Sequence, residues 1–343
     1  MNKIITLIVS VSILFAGCSQ PKGAIKNTEI KDKAKYIVVA YVTSWSNVMP
    51  NPTFITHINY AFGHVNDTFN GIRIDNEERL KEIVELKKQN PHLQVLLSVG
   101  GWGSGGFSEM AANDVNRQQF ALDCQRVILE NGLDGVDIDW EYPSNNAGGI
   151  SSSPEDIQNY TALMVDIRSA IGNDKLLTLA SVSTAEYVDF RAIDASIDFV
   201  NIMAYDMAMP PKHHSPLYRS PLAGHITVEE AVDHHLGAGI PKEKLVLGMP
   251  FYGKGDRDVV GPMDFKDLAQ QTKYQVKWDD TAKVPYLVND DGEFICTFEN
   301  QQSIAIKCQF IKEKGLLGGM YWEYNGDNKD GTLRKTVYNE LNN

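Results

Sequence analysis

The chain has 343 residues, of which 43% are hydrophobic and 22% are charged, and its formal net charge at pH 7 is −12. This length and composition are typical of one large globular domain and exclude a disordered or collagen-like chain. The acidic balance argues against a nucleic-acid partner, because nucleic-acid binding depends on Lys and Arg side chains that neutralise phosphates.

The N-terminal residues have the pattern of an export signal. Lys3 precedes an apolar run over residues 4–16, which has the length of a signal-peptide core and is too short to span a membrane. The stretch "LFAGCSQ" resembles the cleavage box of bacterial lipoproteins, in which the peptide is cut before the Cys and that Cys is lipidated. We therefore expect a lipoprotein signal peptide over residues 1–17, a lipidated Cys18 and a polar tether over residues 18–35. The protein would then be exported and lipid-anchored to a bacterial membrane, at the outer membrane or cell surface; the alternative is an ordinary cleaved signal.

The remaining cysteines and the histidines give no sign of a metal site. Cys124, Cys296 and Cys308 allow at most one disulfide bond, and Cys124, inside a helix-patterned segment, is expected in the core. No Cys or His spacing is typical of zinc. The His pairs at 213–214 and 234–235 are interpreted as loop and helix-surface residues. We therefore expect no metal and no other cofactor.

Beyond residue 35, short apolar runs alternate with helical patterns. Eight such runs are rich in Val, Ile and Leu, as expected for parallel strands that are covered on both faces. They occupy residues 36–42, 57–62, 94–101, 135–142, 176–182, 198–205, 244–252 and 315–324. Strands that alternate with helices form βαβ units, and eight of them predict a closed α/β barrel, the (β/α)8 TIM barrel, over residues 36–343. The first crossover lacks a helix signal, so an open α/β sheet is the alternative.

One segment interrupts this alternation between the seventh and eighth predicted strands. Over residues 254–298, two β-rich runs flank the turn sequence "NDDG" at 289–292, which predicts a β-hairpin. We therefore expect a short antiparallel insertion on the rim of the barrel.

The fourth run contains an unusual row of acids in the stretch "DGVDIDWEYP". Alternate side chains of a strand point to opposite faces, so Asp137, Asp139 and Glu141 share one face and the apolar residues between them share the other. Acids crowded in a confined site cannot all ionise easily, which raises at least one pKa toward the range that a carboxylic general acid needs. The alternative is that the row is the solvated face of an edge strand.

Acids and aromatics also end other predicted strands, at the edge where barrel enzymes carry their active sites. These residues are Phe62, Trp102, Tyr205, Asp206 and Trp322. Each aromatic taken singly is explained equally well by packing, but their coincidence at several strand ends favours a binding site. Paired acids with aromatic platforms suggest sugar chemistry, because sugar rings stack on aromatic side chains and a carboxylic acid protonates the leaving oxygen.

These motifs, in this order, resemble family 18 of the glycoside hydrolases, the chitinases and their relatives. "DGVDIDWE" is similar to the family's DxxDxDxE signature, "SVGG" to its third-strand SxGG motif and "MAYD" to its sixth-strand MxYD motif. "LGMPFYGK" and "GGMYWEY" resemble its seventh and eighth strands. The resemblance covers roughly residues 36–340 and implies a barrel with a small α+β insertion.

The resemblance implies a catalytic role for four residues. Glu141 would protonate the glycosidic oxygen and later activate water. Asp139 would orient the acetamido group of the substrate, with Asp137 sharing a proton behind it, and Tyr205 would donate a hydrogen bond to the acetamido oxygen. No protein nucleophile is implied, because the acetamido oxygen of the substrate attacks the anomeric carbon and the configuration is retained.

The resemblance also implies a set of substrate-binding residues. Asp206 would help to hold the sugar at the cleavage site, Trp322 would form the floor beneath it, and Trp102 would be a platform on the leaving side. The rest of the expected set is Met203, Tyr41, Phe62 and Tyr142.

The sequence therefore predicts a retaining, substrate-assisted hydrolase of β-1,4-linked N-acetylglucosamine polymers, a chitinase, whose partner is chitin or an N-acetylglucosamine-containing oligosaccharide. Lys254 stands where many family members carry Arg, and the insertion is short, which favours an open groove that cuts internal bonds. Two alternatives remain: an endo-β-N-acetylglucosaminidase acting on N-glycan cores, and a glycan-binding protein without turnover. A monomer is the default expectation, with the lipid anchor as the only membrane contact.

Overall fold

The computed structural model describes Met1, residues 34–256 and residues 263–343. Residues 2–17 of the expected signal peptide, the expected lipidation site Cys18 and nearly all of the expected tether lie outside the described residues. Within the described ranges, each helix is too short or too polar to cross a lipid bilayer.

The described residues form parallel and antiparallel strands connected by helices. The strands, in chain order, are β1 (Ile37–Thr43), β2 (His57–Val65), β3 (Ile72–Ile74), β4 (Gln94–Gly100), β5 (Gly135–Asp139), β6 (Leu176–Val182), β7 (Phe199–Met203), β8 (Leu245–Pro250), β9 (Tyr252–Gly255), β10 (Met263–Asp264), β11 (Gln275–Asp279), β12 (Val284–Val288), β13 (Phe294–Thr297) and β14 (Gly318–Trp322). The α-helices are α1 (Glu77–Val84), α2 (Phe107–Ala112), α3 (Asp114–Asn131), α4 (Asp156–Ile171), α5 (Phe190–Ile193), α6 (Val228–Ala238), α7 (Phe265–Leu268), α8 (Gln301–Lys314) and α9 (Thr332–Asn342).

Eight parallel strands close into a barrel, as predicted. Their order is β1-β14-β8-β7-β6-β5-β4-β2, and β1 also pairs with β2, so the sheet has no open edge at this point. This closure excludes the open-sheet alternative. The sequence lacks a helix signal in the first crossover because the described chain between β1 and β2 contains only a short 3-10 helix, Pro52–Phe54. The carboxyl ends of all eight strands therefore meet at one rim.

The predicted insertion is a second, antiparallel sheet on that rim. Its five strands have the order β10-β9-β13-β12-β11, and β12 and β13 form the predicted hairpin. The sheet begins at Tyr252, two residues earlier than expected, because the chain turns directly from β8 into β9. This short turn brings Tyr252 and Lys254 to the edge of the barrel mouth.

The barrel interior changes from apolar to polar along its strands. Val39, Phe199 and Val246, which lie near the beginnings of their strands, are buried with Met320 in an apolar cluster. Farther along, the buried interior side chains include Ser98, Asp137, Thr178 and Asn201. A carboxyl group in this layer therefore has hydrogen-bond donors within reach instead of water.

Gly100 allows β4 to approach β5 closely at the level of the acid row. A Cβ atom at Gly100 would lie 2.0 Å from the main-chain oxygen of Asp139, and its φ of +126° is unfavourable for other residues. The next residue, Gly101, donates its N–H to the same oxygen at 2.8 Å. The "GG" of "SVGG" thus fixes the main chain of Asp139.

We expect Gly100→Ala to lower the free energy of unfolding by about 3 kcal/mol or more, since the added methyl group overlaps a main-chain atom. Gly132→Ala is the matched control, because Gly132 also has a positive φ, +65°, in the left-handed helical region, and its added atom would lie at an ordinary contact distance, 3.8 Å, from the nearest side chain. The control should cost only about 1 kcal/mol. Urea unfolding followed by Trp fluorescence measures both values. Equal losses for the two variants would contradict the steric explanation.

Candidate active site

The acid row points into the barrel mouth, and the residues between the acids face the helices. Asp137 and Asp139 are on β5, and Glu141 follows two residues beyond its end. Trp140 is buried on the opposite side, between Phe107 of α2 and Tyr160 of α4, at ring-centroid distances of 5.3 and 5.8 Å. The row therefore lines the interior of a closed barrel, which excludes the interpretation as a solvated edge strand.

Asp137 is the deepest of the three acids and is fully buried with four hydrogen bonds. Its Oδ2 accepts from Tyr41 at 2.7 Å and from Ser98 at 2.8 Å, and its Oδ1 accepts from Thr178 at 2.6 Å and from Asn201 at 3.2 Å. Burial raises the pKa of Asp137, and these four donors oppose the increase. The Asp137 side chain is thus held rigidly beneath the pocket and does not line it.

Asp139 lies between the other two acids and, unlike Asp137, has a carboxyl oxygen without a hydrogen-bond donor. It is 4% exposed, and its Oδ1 has no hydrogen-bond partner among the described residues. Burial, followed by the nearby Glu141 and Asp137, raises the pKa of Asp139 well above its usual value. A buried, unpaired carboxyl oxygen is costly, and a bound ligand with an N–H group would satisfy it.

Glu141 is the outermost acid of the row and faces the pocket. Burial and the negative charge of Asp206 raise its pKa to about 7, although an interaction with the hydroxyl of Tyr142 opposes the increase. A carboxyl group with this pKa holds a proton in part of the molecules at neutral pH and can donate it to a leaving group.

Tyr205 and Asp206 face the acid row from the loop that follows β7. Partial burial raises the pKa of Asp206, but His214, Lys254 and Tyr252 outweigh it and bring the value down to about 2. Its Oδ1 accepts from Tyr252 Oη at 2.6 Å and lies 2.9 Å from Lys254 Nζ. Asp206 is therefore the carboxylate in the pocket that stays ionised over most of the pH range.

Aromatic side chains form much of the remaining wall. Trp322 packs against Tyr41 and Phe62, with ring centroids 5.5 and 5.6 Å apart, and Trp102 packs against Tyr142 at 6.3 Å. Together with the acids they enclose a cavity of about 820 Å³, which is within the usual range of small-molecule binding sites. Of the residues expected in the site, Asp137 is the one that lies beneath the cavity; the others line it: Tyr41, Phe62, Trp102, Asp139, Glu141, Tyr142, Met203, Tyr205, Asp206 and Trp322.

Several lining residues are absent from the expected set. Tyr252 ends the seventh apolar run, so the rule that identified the other strand-end residues could have found it. Trp45 follows β1 by two residues and is 65% exposed, and an aromatic so close to a strand end is a similar signal. His225 lies in a long loop and carries no comparable signal. The rest are Ala180, Val182, Ser183, Thr184, Met207 and Lys254.

The interpretation of the His pairs is wrong in part. His213 and His214 are loop residues but are buried, and Nδ1 of His214 lies 3.6 Å from Oδ1 of Asp206. His235 is also buried, and its Nε2 lies 2.9 Å from the hydroxyl oxygen of Ser181, whereas His234 is exposed. Tertiary packing against neighbouring elements causes this burial, which the local sequence does not reveal.

The described residues contain no cluster of His, Cys, Asp and Glu that could hold a metal ion. Cys124, Cys296 and Cys308 are all buried with free thiols, so the one possible disulfide is not formed. Cys124 is in the core, as expected.

The comparisons with known proteins agree with this geometry. Residues 37–327 match the family described as Glycosyl hydrolases family 18. The chain is 31% identical to Chitinase A1 of Niallia circulans, with 94% of this chain and 60% of that protein covered. It is 32% identical to Chitotriosidase-1 of Mus musculus, with 89% of this chain and 78% of that protein covered. The chain thus spans less than two thirds of the length of Chitinase A1.

Solved structures show the same fold. A family 18 N-acetylglucosaminidase from Paenibacillus barengoltzii has a TM-score of 0.81 at 35% identity and covers 89% of this chain and 100% of its own. Chitinase RmChi1 from Rhizomucor miehei also has a TM-score of 0.81, at 25% identity, and covers 89% of this chain and 99% of its own. The barrel of this chain therefore corresponds to nearly the whole of both structures.

The raised pKa of Glu141 has a consequence for stability. An acid whose pKa is higher in the folded protein stabilises the fold below the unfolded value, near 4.5, and this contribution is lost as the pH rises to about 7. We expect Glu141→Gln to match the wild type at pH 4 and to exceed its free energy of unfolding by about 1–3 kcal/mol at pH 8. Chemical denaturation at the two pH values tests this, with the exposed Glu186→Gln as control. An equal effect at both pH values would contradict a raised pKa.

Proposed function

The chain is a family 18 glycosyl hydrolase of the chitinase-like kind, and from that premise we propose that it is a retaining, substrate-assisted chitinase that cuts β-1,4 bonds inside N-acetylglucosamine polymers. One observation supports this function above all. Burial and the charge of Asp206 raise the pKa of Glu141 to about 7, and the neighbouring Asp139 has a buried oxygen, Oδ1, without a partner among the described residues.

Glu141 acts as the acid in the first step. Its proton passes to the glycosidic oxygen while the bond from that oxygen to the anomeric carbon breaks. Glu141 is then ionised, and in the second step it takes a proton from the water that attacks the anomeric carbon. The same residue thus serves both steps and ends protonated again.

The nucleophile of the first step is the carbonyl oxygen of the substrate's own 2-acetamido group. Asp139 is not required as the nucleophile, because its Oδ1, which has no partner among the described residues, is placed to accept the acetamido N–H instead. The Asp206 carboxylate is held by Tyr252 and Lys254, which contact its Oδ1, and its other oxygen is assigned to a sugar hydroxyl. The acetamido oxygen therefore attacks the anomeric carbon and gives an oxazolinium ion, which water opens with retention of configuration.

The surrounding residues hold the reacting sugar. The unpaired Oδ1 of Asp139 accepts the acetamido N–H and stabilises the positive charge of the oxazolinium ion, with Asp137 as its fixed support. Tyr205 donates its hydroxyl to the acetamido oxygen, and Asp206 accepts from a sugar hydroxyl. Trp322 lies under the ring as an apolar floor, with Tyr41, Phe62 and Met203 beside it, while Trp102 and Tyr142 contact the neighbouring sugar.

An open groove supports cleavage inside a chain rather than at its end. The depression beside Trp45, Phe62 and Trp102 continues past His64 and Arg73, and a second depression adjoins Asp206 and Trp322 and reaches Asp264. Both share lining residues with the main cavity, so a polymer can extend beyond the cleaved bond. Trp45 and Trp102 are 65% and 63% exposed, as expected for open platforms.

A second candidate is an N-acetylglucosaminidase, which the similarity to the Paenibacillus barengoltzii enzyme of that name favours. Such an enzyme would act on the same sugar with the same acid and would differ in the length or type of chain that the groove accepts. Cleavage of N-glycan cores is a related possibility, and the substrate comparison below separates these cases.

We expect wild-type protein to cleave the N-acetylglucosamine tetramer to dimer and to release the β-anomer first. Its kcat/KM should fall as the pH rises through about 7, because the protonated form of Glu141 is required. Glu141→Gln should lose activity by about 10³-fold while staying folded. Chromatography that resolves anomers, with a high-mannose glycoprotein and the dimer as alternative substrates, measures all of these outcomes.

Each other outcome of this digestion has a defined meaning. Release of glycan from the glycoprotein alone indicates an endo-β-N-acetylglucosaminidase, and removal of single sugars from the tetramer and the dimer indicates an exo-acting N-acetylglucosaminidase. Initial release of the α-anomer would contradict a retaining mechanism. A folded wild type that binds the tetramer without cutting it would support the glycan-binding alternative.

The proposed location is a bacterial membrane surface, where a hydrolase could digest polymers that are too large to import. The apolar run over residues 4–16 and the "LFAGC" box support this location. We expect full-length protein expressed in a bacterial host to incorporate labelled palmitate and to sediment with membranes, and Cys18→Ala to do neither. Ser19→Ala is the control, and label in the Cys18 variant would contradict lipidation at Cys18.

A further inference from the structure

A buried lysine lies behind the loop that carries Tyr205 and Asp206. Lys307 of α8 is completely buried, and its partner Glu299 is 2% exposed. Burial of a charge is costly unless the charge is paired and its donors are satisfied. None of the catalytic steps proposed above uses Lys307, so its place in the molecule has a different cause.

All three donors of the Lys307 ammonium group are used. Its Nζ donates to Oε1 of Glu299 and, at 2.7 Å each, to the main-chain oxygen and the hydroxyl oxygen of Ser215. The Ser215 hydroxyl donates in turn to the main-chain oxygen of Ala204 at 2.7 Å. Ala204 immediately precedes Tyr205, so hydrogen bonds connect α8 to the end of β7 without a gap.

A second connection reaches the same place through His214. Its main-chain oxygen accepts the N–H of Met207 at 3.0 Å, and its buried ring lies 3.6 Å from Oδ1 of Asp206. The charges of Glu299 and Lys307 act on the same ring. The loop is therefore held on both sides of Asp206.

We propose that the Lys307–Glu299 pair is a positioning device for the catalytic segment, residues 204–206. Through Ser215 the pair fixes the main chain at Ala204, which sets where the Tyr205 hydroxyl and the Asp206 carboxylate stand relative to Glu141. This rests on the proposed function, because the positions of these two groups matter for catalysis only if Glu141 is the acid.

The pH dependence of catalysis separates positioning from a purely structural role. The charge of Asp206 contributes to the raised pKa of Glu141, whose other charged or titratable neighbours include Tyr142, Asp139, Tyr205 and Tyr252. The titratable groups around Asp206 itself are His214, Lys254 and Tyr252, which lower its pKa, and Glu141, Tyr142 and Tyr205. If the catalytic segment moves away from Glu141, the pKa of Glu141 falls, and the alkaline limb of kcat/KM moves to lower pH. A loss of folded protein alone lowers the measured rate but does not change the pH at which kcat/KM falls.

Ser215→Ala is the variant of choice, because it removes the link to Ala204 and keeps the buried ion pair. Lys307→Met would leave Glu299 buried without a partner and could fail to fold for that reason. Ser303→Ala is the matched control. Ser303 is as buried as Ser215 and lies on α8, the helix that carries Lys307. It hydrogen-bonds to Asn300 and has no link to the catalytic segment.

The experiment measures kcat and KM on the N-acetylglucosamine tetramer across pH, with folded protein quantified by near-UV circular dichroism. We expect Ser215→Ala to lose about tenfold in kcat with a small change in KM, and its alkaline limb to move to lower pH. Ser303→Ala should keep the wild-type limb and the wild-type kcat per folded molecule. An active wild type with Ser215→Ala indistinguishable from Ser303→Ala would overturn the positioning role alone. An inactive wild type would overturn the proposed function and this role with it.

Discussion

Burial of a row of carboxyl groups in the barrel mouth is the constraint on which the site depends. Removal from water disfavours the charged form of each acid, and the structure treats the three acids differently. Asp137 has four donors, whereas Oδ1 of Asp139 has no partner among the described residues. Asp206, which follows the end of β7, is ionised because His214, Lys254 and Tyr252 together lower its pKa. Carboxyls in contrasting environments are what a site needs to donate a proton on one side and hold a sugar on the other.

Much of the fold and the acid row can be predicted from the sequence, because both depend on local periodicity. Eight apolar runs alternate with helical patterns, and each run corresponds to a barrel strand. The alternation of Asp137, Ile138 and Asp139 places the acids inside once the sheet is closed. The rule that barrel sites lie at strand ends then finds Tyr205 and Trp322 without any knowledge of contacts.

The rest could not be predicted, because it depends on contacts between segments that are distant in the chain. His214 is polar in sequence, and its burial against Asp206 results from the packing of the insertion sheet and α8 on the barrel. The same holds for Lys307, whose partner Ser215 is 92 positions away. The peptide bonds Glu141–Tyr142 and Trp322–Glu323 are cis, and since neither precedes a proline, the sequence carries no signal for them.

The side chain at position 254, where the family resemblance implies Arg in many members, determines how the Asp206 carboxylate is held. The ammonium group of Lys254 is a point charge, and it contacts Oδ1 of Asp206, the same oxygen that accepts from Tyr252. An arginine fork at this position could reach both carboxylate oxygens. With lysine, the described contacts of the carboxylate are to Oδ1, and Oδ2 remains available for the hydrogen bond to a sugar hydroxyl that we propose. Lys254, which acts with His214 to lower the pKa of Asp206, therefore also leaves one oxygen of this carboxylate for the proposed contact with substrate.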